Sequence, residues 1–268
     1  MIDKNEDPEN GEPHVPGVLA ADVGNSALHL AAVTGDQVSA VQVVRPGDGG
    51  RLGESLGQLW AALPAPREFV AASVNAAHLA LLEQAARQAI GQDVLVVGRD
   101  LPLPIGTDLP DPSAIGMDRL CCAAAAFDRL GVACVVADFG TAITIDCVSD
   151  EGVFLGGAIL PGLGMGAAAL HEHTDQLPLV ELEEPTWIFG KDTRQAMVGG
   201  LVLGARGALR DLVERYANCL NHWPTVIITG GDAHLICPDP RQDDLVQAVV
   251  PDLALRGVAG AYYHTLIK

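Results

Sequence analysis

The phrase AADVGNS at positions 20–26 returns, little altered, as VADFGTA at positions 136–142. Each copy ends an apolar, strand-like run in an aspartate. Each sets a glycine two residues later, then a polar residue and a small one. The copies stand 116 residues apart in a chain of 268. Solenoid repeats recur every ~20–50 residues, so this spacing predicts a duplicated domain instead.

A strand that ends in Asp-x-Gly has a physical use. Glycine admits positive φ and lets the backbone approach a ligand closely. Asn25 or Thr141 then offers a side-chain donor beside exposed N–H groups. A single such turn is an ordinary Asx turn between strands. Two at matching places, with a third glycine-rich strand end in IITGGDA (227–233), predict a nucleotide site. Two facing hairpins would clamp phosphate, and their aspartates would hold a cation between phosphate oxygens.

The elements around the repeat are arranged alike in each half. VLAADVGNSALHLAAV (18–33) reads as strand, turn and strand, with a third strand in DQVSAVQVV. Alternation of helix and strand follows: LGESLGQLWAAL, EFVAASV, AAHLALLEQAARQAI and DVLVVG. SAIGMDRLCCAAAAFDRL predicts an Ala-rich helix with Ser113 as N-cap. The second half restarts with three strands in ACVVADFGTAITIDCVSDEGVFLGGAIL. Helices follow in MGAAALHEH and DTRQAMVGGLVLGARGALRDLVERYANCL, then the strand TVIITGG and a last helix in LALRGVAGAYYHTLI. The expected class is α/β. Residues 1–16 are expected to form a disordered acidic tail, and 17–131 and 132–268 two like domains with a cleft between them.

Composition narrows the partners. Thirty-four acids face 16 bases, a net charge of −18, so nucleic acid and anionic lipid are not expected ligands. Backbone N–H groups and a bound cation can still hold a phosphorylated small molecule. Apolar residues make up 49% of the chain and aromatics 4%, which predicts a core of Ala, Val, Leu and Ile. The six cysteines form no C-x-x-C pair and read as small buried hydrophobes in a reducing, cytoplasmic setting. The first 16 residues lack the basic and apolar regions of a signal peptide. The longest uncharged stretch, 152–171, holds six glycines and Pro161, which argues against a membrane span.

Seven phrases in order carry a more specific resemblance: DVGNS (22–26), GMDR (116–119), DFGTAITID (138–146), GGAILPG (156–162), ALHEHTDQLPLVEL (169–182), GKDTRQAMVGG (190–200) and ITGGDAHLI (228–236). Together they resemble the type III pantothenate kinase family, within the superfamily of acetate kinases, sugar kinases and actin. The resemblance implies two duplicated ribonuclease H-like, actin-like ATPase domains, each with a mixed five-stranded sheet flanked by helices. It implies ATP with Mg²⁺, a monovalent cation (K⁺ or NH₄⁺), pantothenate as acceptor and a homodimer. By resemblance, Asp22, Val23, Gly24, Asn25, Ser26, Ala27, Leu28 and His29 form the first phosphate loop. Thr141, Gly230 and Gly231 would contact ATP, and Asp138 would hold the monovalent cation. Asp118 would be the general base, within a substrate-binding set of Gly116, Met117, Asp118, Arg119 and Thr193.

The residues themselves support part of that assignment. Asp118 opens an Ala-rich helix beside Arg119. Helix N–H groups and a guanidinium both favour a charged carboxylate that can accept a proton. The small-residue run 196–209 could face a second subunit or the chain's own core. The sequence departs from the family at Ser26, where Thr is usual, and at Cys122, where Asn is common. It has no aromatic before GMDR and carries LALRG late in the chain. Two other classes have partial signatures in the chain. GLGMGA (162–167) matches a dinucleotide fingerprint, and HEHTD (171–175) suggests a zinc site without the H-E-x-x-H spacing. A nucleotide-binding regulator without catalysis is the remaining alternative.

Overall fold

The computed structural model describes residues 15–111 and 114–267. The expected tail falls, except for Val15 and Pro16, outside the described residues, as does the Ser113 cap. The chain forms two mixed sheets with helices on their faces. The first contains β1 (Gly17–Val23), β2 (Leu28–Thr34), β3 (Gln37–Val38), β4 (Gln42–Val44), β5 (Arg67–Ser73) and β6 (Leu95–Val96). The second contains β7 (Gly106–Thr107), β8 (Cys134–Phe139), β9 (Ala142–Val148), β10 (Val153–Pro161), β11 (Thr225–Thr229) and β12 (Ala248–Val249).

The duplication is visible in the pairing. The first sheet runs β3-β2-β1-β5-β6 and the second runs β10-β9-β8-β11-β12. In each, the hairpin strands pair antiparallel, and the central strand pairs parallel with the next one. Each sheet has six strands where five were expected. In the first, DQVSAVQVV breaks in two at Ser39, whose hydroxyl takes the Ala32 N–H at 3.0 Å and interrupts the regular ladder. In the second, β7 comes from the first half of the chain and pairs with β10.

The helices are α1 (Gly49–Ala62), α2 (Ala76–Ala89), α3 (Met117–Leu130), α4 (Leu163–Glu172), α5 (Thr193–Leu220), α6 (Ala233–Ile236) and α7 (Leu253–Leu266). Asp48, Asn75 and Asp192 cap α1, α2 and α5 by accepting from first-turn N–H groups. α3 begins at Met117 with Gly116 as its N-cap and ends at Gly131, φ 64°.

β1 is buried on both faces. Leu19, Ala21 and Val23 join Leu56, Leu59 and Leu82 of α1 and α2. Val18 and Ala20 join Val258, Ala259 and Ala261 of α7. The last helix of the chain thus covers the first sheet. α3 divides its contacts: Cys121 packs with α7 and the first sheet, and Cys122, Ala123 and Ala126 pack with the second. The α3–α7 crossing is close, because a Cβ on Gly257 would strike the Cys121 carbonyl. α3 therefore stands between the sheets with its N-terminus at the strand ends that carry the repeated aspartates. A cavity of about 670 Å³ behind this crossing is lined by Ala124, Asp128, Arg129, Gly260 and Tyr263 and contains none of those aspartates.

Candidate active site

β1 and β2 build the first of the two repeated turns. The Gly24 N–H donates to the Ala27 carbonyl at 3.1 Å and closes the loop. Val23 and Leu28 turn their side chains into the core. What the loop presents is backbone, with the exposed side chains of Asn25 and Ser26. Asp22 lies opposite His29 in the ladder, and its Oδ2 is 3.8 Å from His29 Nδ1.

β8 and β9 build the second turn, where the Gly140 N–H donates to the Ala142 carbonyl at 3.2 Å. A Cβ on Gly162 would strike the Gly140 and Thr141 carbonyls, so that glycine lets the start of α4 lie against this turn. The two turns touch: Thr141 Oγ1 donates to Ser26 Oγ at 3.2 Å, across 115 residues of sequence. The third glycine-rich turn closes beside them. Gly230 has φ +95°, and a Cβ there would strike Asp138 Oδ1. The Asp232 N–H donates to the Phe139 carbonyl at 3.0 Å, and Gly231 has open space at its α-carbon.

Asp118 stands in the first turn of α3, and its Oδ1 accepts the Arg119 N–H at 2.8 Å. Gly116 leaves room for this carboxyl, which a Cβ would meet. Met117 packs its methyl against Gly98. Three carboxylates converge here. Burial first, then the charges of Asp118 and Asp138, push Asp22 up to about 7. Burial first, then Asp118 and Asp146, push Asp138 up to about 6. Such shifts mark carboxyls that are buried first of all and then crowded by like charge. Cys122 lies under the group, its thiol pushed well up by burial and then by Asp138 and Asp22.

Arg119 is anchored by a second carboxylate. Its guanidinium turns from Asp118 to Asp146 of β9, with Nε 3.0 Å from Oδ2 and Nη2 closing on Oδ1. The fork geometry of Arg matches a carboxylate, and Asp146, in mid-strand, is only 2% exposed. The Arg119 Cζ also sits 5.5 Å from the centre of the Phe154 ring. Burial raises Asp146, against the pull of Arg119. Asp146 had no assigned role in the sequence reading. Its signal was an acid in an apolar strand, eight residues after Asp138. Thr193 is exposed at the first position of α5, where Asp192 provides the cap.

The two rival motifs are absorbed into other roles. Gly162 of GLGMGA serves the turn just described. His171 of HEHTD donates Nδ1–H to the Leu177 carbonyl at 2.8 Å. Among the described residues, no three His, Cys, Asp or Glu side chains form a ready metal cage. A cation at Asp22 and Asp138 would have to complete its shell from phosphate oxygens and water.

A family model for type III pantothenate kinase matches residues 18–215. The chain belongs to the type III pantothenate kinase family. A type III pantothenate kinase from Akkermansia muciniphila is 39% identical over 159 residues, 59% of this chain and 64% of that protein. The matched region therefore spans just under two thirds of that relative. Another, from Dehalococcoides mccartyi strain CBDB1, is 30% identical over 257 residues, 91% of this chain and 95% of that protein. Among solved structures, a conserved Baf family transcriptional activator from Campylobacter jejuni superposes with TM-score 0.59 at 19% identity, covering 93% of this chain and all of that one. MreB 5 of Spiroplasma citri, bound to AMPPNP, gives TM-score 0.50 at 10% identity, covering 95% and 98%. At these identities the likeness shows the fold, two duplicated actin-like ATPase domains.

Proposed function

We propose that this chain phosphorylates the primary hydroxyl of pantothenate with ATP, giving 4′-phosphopantothenate, the first step toward coenzyme A. The observation that carries the reading is the convergence of Asp22, Asp118 and Asp138 where the two phosphate turns meet at Thr141 and Ser26. Family membership points the same way.

In this reading the backbone of residues 22–29, with Asn25, Ser26 and Thr141, receives the triphosphate. Gly230 and Gly231 let the third turn pass close to the nucleoside. Asp118 takes the proton from the acceptor hydroxyl. The oxygen forms its bond to the γ-phosphorus as the bond from that phosphorus to the β–γ bridging oxygen breaks, and ADP leaves. Asp22 would hold Mg²⁺ through water and Asp138 a K⁺ or NH₄⁺ ion. When bound, these ions supply the positive charge that the phosphates need and this acidic cleft lacks. Arg119, fixed by Asp146, would orient the polar end of pantothenate.

The reading extends to assembly and location. Met197, Val198, Val202, Ala205 and Leu209 of α5 face the core. Gly200, Leu203, Gly204 and Gly207 are exposed or half-exposed and offer a close-packing stripe for a second copy, with Thr193 at its head. The six unpaired cysteines suit the cytoplasm, and among the described residues no helix is long and apolar enough to cross a membrane. The decisive assay is ADP release with and without pantothenate, in K⁺ and then in Na⁺. Pantothenate-dependent release supports the kinase. Nucleotide binding without it supports a regulator of the same fold, and light scattering reads the dimer.

A further inference from the structure

The segment between β5 and α2 is braced against the first phosphate turn, and no motif drew attention to it. The Val74 N–H donates to the Val23 carbonyl at 3.1 Å. His78 Nδ1 lies 2.9 Å from the Gly24 carbonyl oxygen. Asn75 Nδ2 donates to Asn25 Oδ1 at 3.1 Å. Asn75 also caps α2, its Oδ1 accepting the His78 N–H at 3.1 Å.

The order of donors in this chain is fixed by chemistry. A backbone N–H can only donate, so the Asn75 atom facing His78 is the amide oxygen. The atom facing Asn25 is then the Asn75 NH₂, and it must meet an acceptor. Asn25 therefore turns its oxygen inward to Asn75 and is left to present its NH₂ group outward. A carbonyl oxygen can only accept, so His78 holds its proton on Nδ1 and tethers Gly24. The α2 cap thus decides which end of the Asn25 amide faces the nucleotide.

We infer that Asn75 and His78 are positioning residues for ATP: Asn75 locks the Asn25 amide with its NH₂ toward phosphate, and His78 pins the Gly24 carbonyl beneath the turn. This rests on the kinase reading above. An NH₂ donor suits phosphate oxygens, and a flipped amide would aim an acceptor at them. Both residues act through Asn25 and Gly24, so neither is assigned a catalytic role.

Ser, Asn and Asp are all good N-caps, so Asn75→Ser and Asn75→Asp keep α2 capped. They differ in what they do to Asn25. Serine releases the amide, and aspartate forces it to donate inward. The expected ATP KM rises in the order wild type, N75S, N75D, by about threefold and then about tenfold or more, the size of one hydrogen bond to a charged group. The pantothenate KM stays within about twofold. In an Asn25→Ala background, N75S has no further effect on the ATP KM, because the two residues act as one unit. His78→Asn places an Nδ2 donor where Nδ1 stood and keeps the ATP KM, whereas His78→Leu raises it. Equal ATP KM values for wild type, N75S and N75D, in proteins of unchanged melting temperature, overturn the inference. An additive effect of N75S on N25A also overturns it. A wild-type protein without pantothenate-dependent turnover sinks the kinase reading instead, so the two failures are distinct.

Discussion

Asp118 is the residue on which the proposed chemistry turns. Replacing it by Asn keeps its size and its place in the first turn of α3 but removes the proton acceptor. Turnover should fall by about 10²–10⁴, the usual contribution of a positioned base, while ATP binding by titration calorimetry is unchanged. A variant with full rate removes Asp118 from that role. Asp146 makes a different prediction. Arg119 is 15% exposed and Asp146 is 2% exposed, so Asp146→Ala strands a guanidinium that water only partly reaches. Urea denaturation should show a loss of about 3 kcal/mol, the low end for breaking a buried pair, and the pantothenate KM should rise. A loss below about 1 kcal/mol would place the pair among ordinary surface bridges. At this scale the sequence was legible in its repeat: Asp22 and Asp138 lie close enough to each other and to Asp118 for their charges to interact, as two facing turns require. It was illegible wherever the partner came from a remote strand. Nothing in GMDR says that Arg119 will turn to a carboxylate 27 residues later.

Elements were read from periodicity, and most stand where alternation and capping put them. The exceptions have local causes. The third strand of the first half splits at Ser39, whose hydroxyl replaces a ladder acceptor. β7 has only two residues, too few to leave a pattern, and it pairs with a strand more than forty residues later. α3 and α7 were both expected as helices, but their crossing was not, because it depends on the single small residue Gly257 and not on apolar spacing. Gly257→Ala tests that crossing. The added methyl would meet the Cys121 carbonyl and come within 2.8 Å of the Cys121 Cα. Both contacts are backbone, so no rotamer can relieve them. A destabilisation of about 1–3 kcal/mol is expected for such overpacking, read by chemical denaturation. Gly260→Ala on the same helix has open space and should be neutral or slightly stabilising. Equal effects of the two substitutions would deny the close crossing.

For the molecule as a whole, the raised carboxyls link protons to ligand. Asp22 and Asp138 titrate near 7 and 6 in the folded chain, against 3.8 ordinarily. The folded state therefore binds more protons than the unfolded one between about pH 4 and 7. Their contribution to the stability of the ligand-free protein is full below about pH 4 and is lost as pH rises through 6 and then 7. In the proposed reading, cation and nucleotide bind the ionised forms. The melting-temperature increase on adding Mg²⁺ and ATP should thus be larger at pH 8 than at pH 6, by scanning fluorimetry. Equal increases at both values would remove these groups from the ligand site. Synthesis of the chain feels the architecture too. Val18 and Ala20 of the first strand are not fully covered until Val258, Ala259 and Ala261 are made. A ribosome must deliver the residues of α7 before β1 can be sealed, so a nascent chain stalled between α3 and α7 should carry an open apolar flank that holdase chaperones bind.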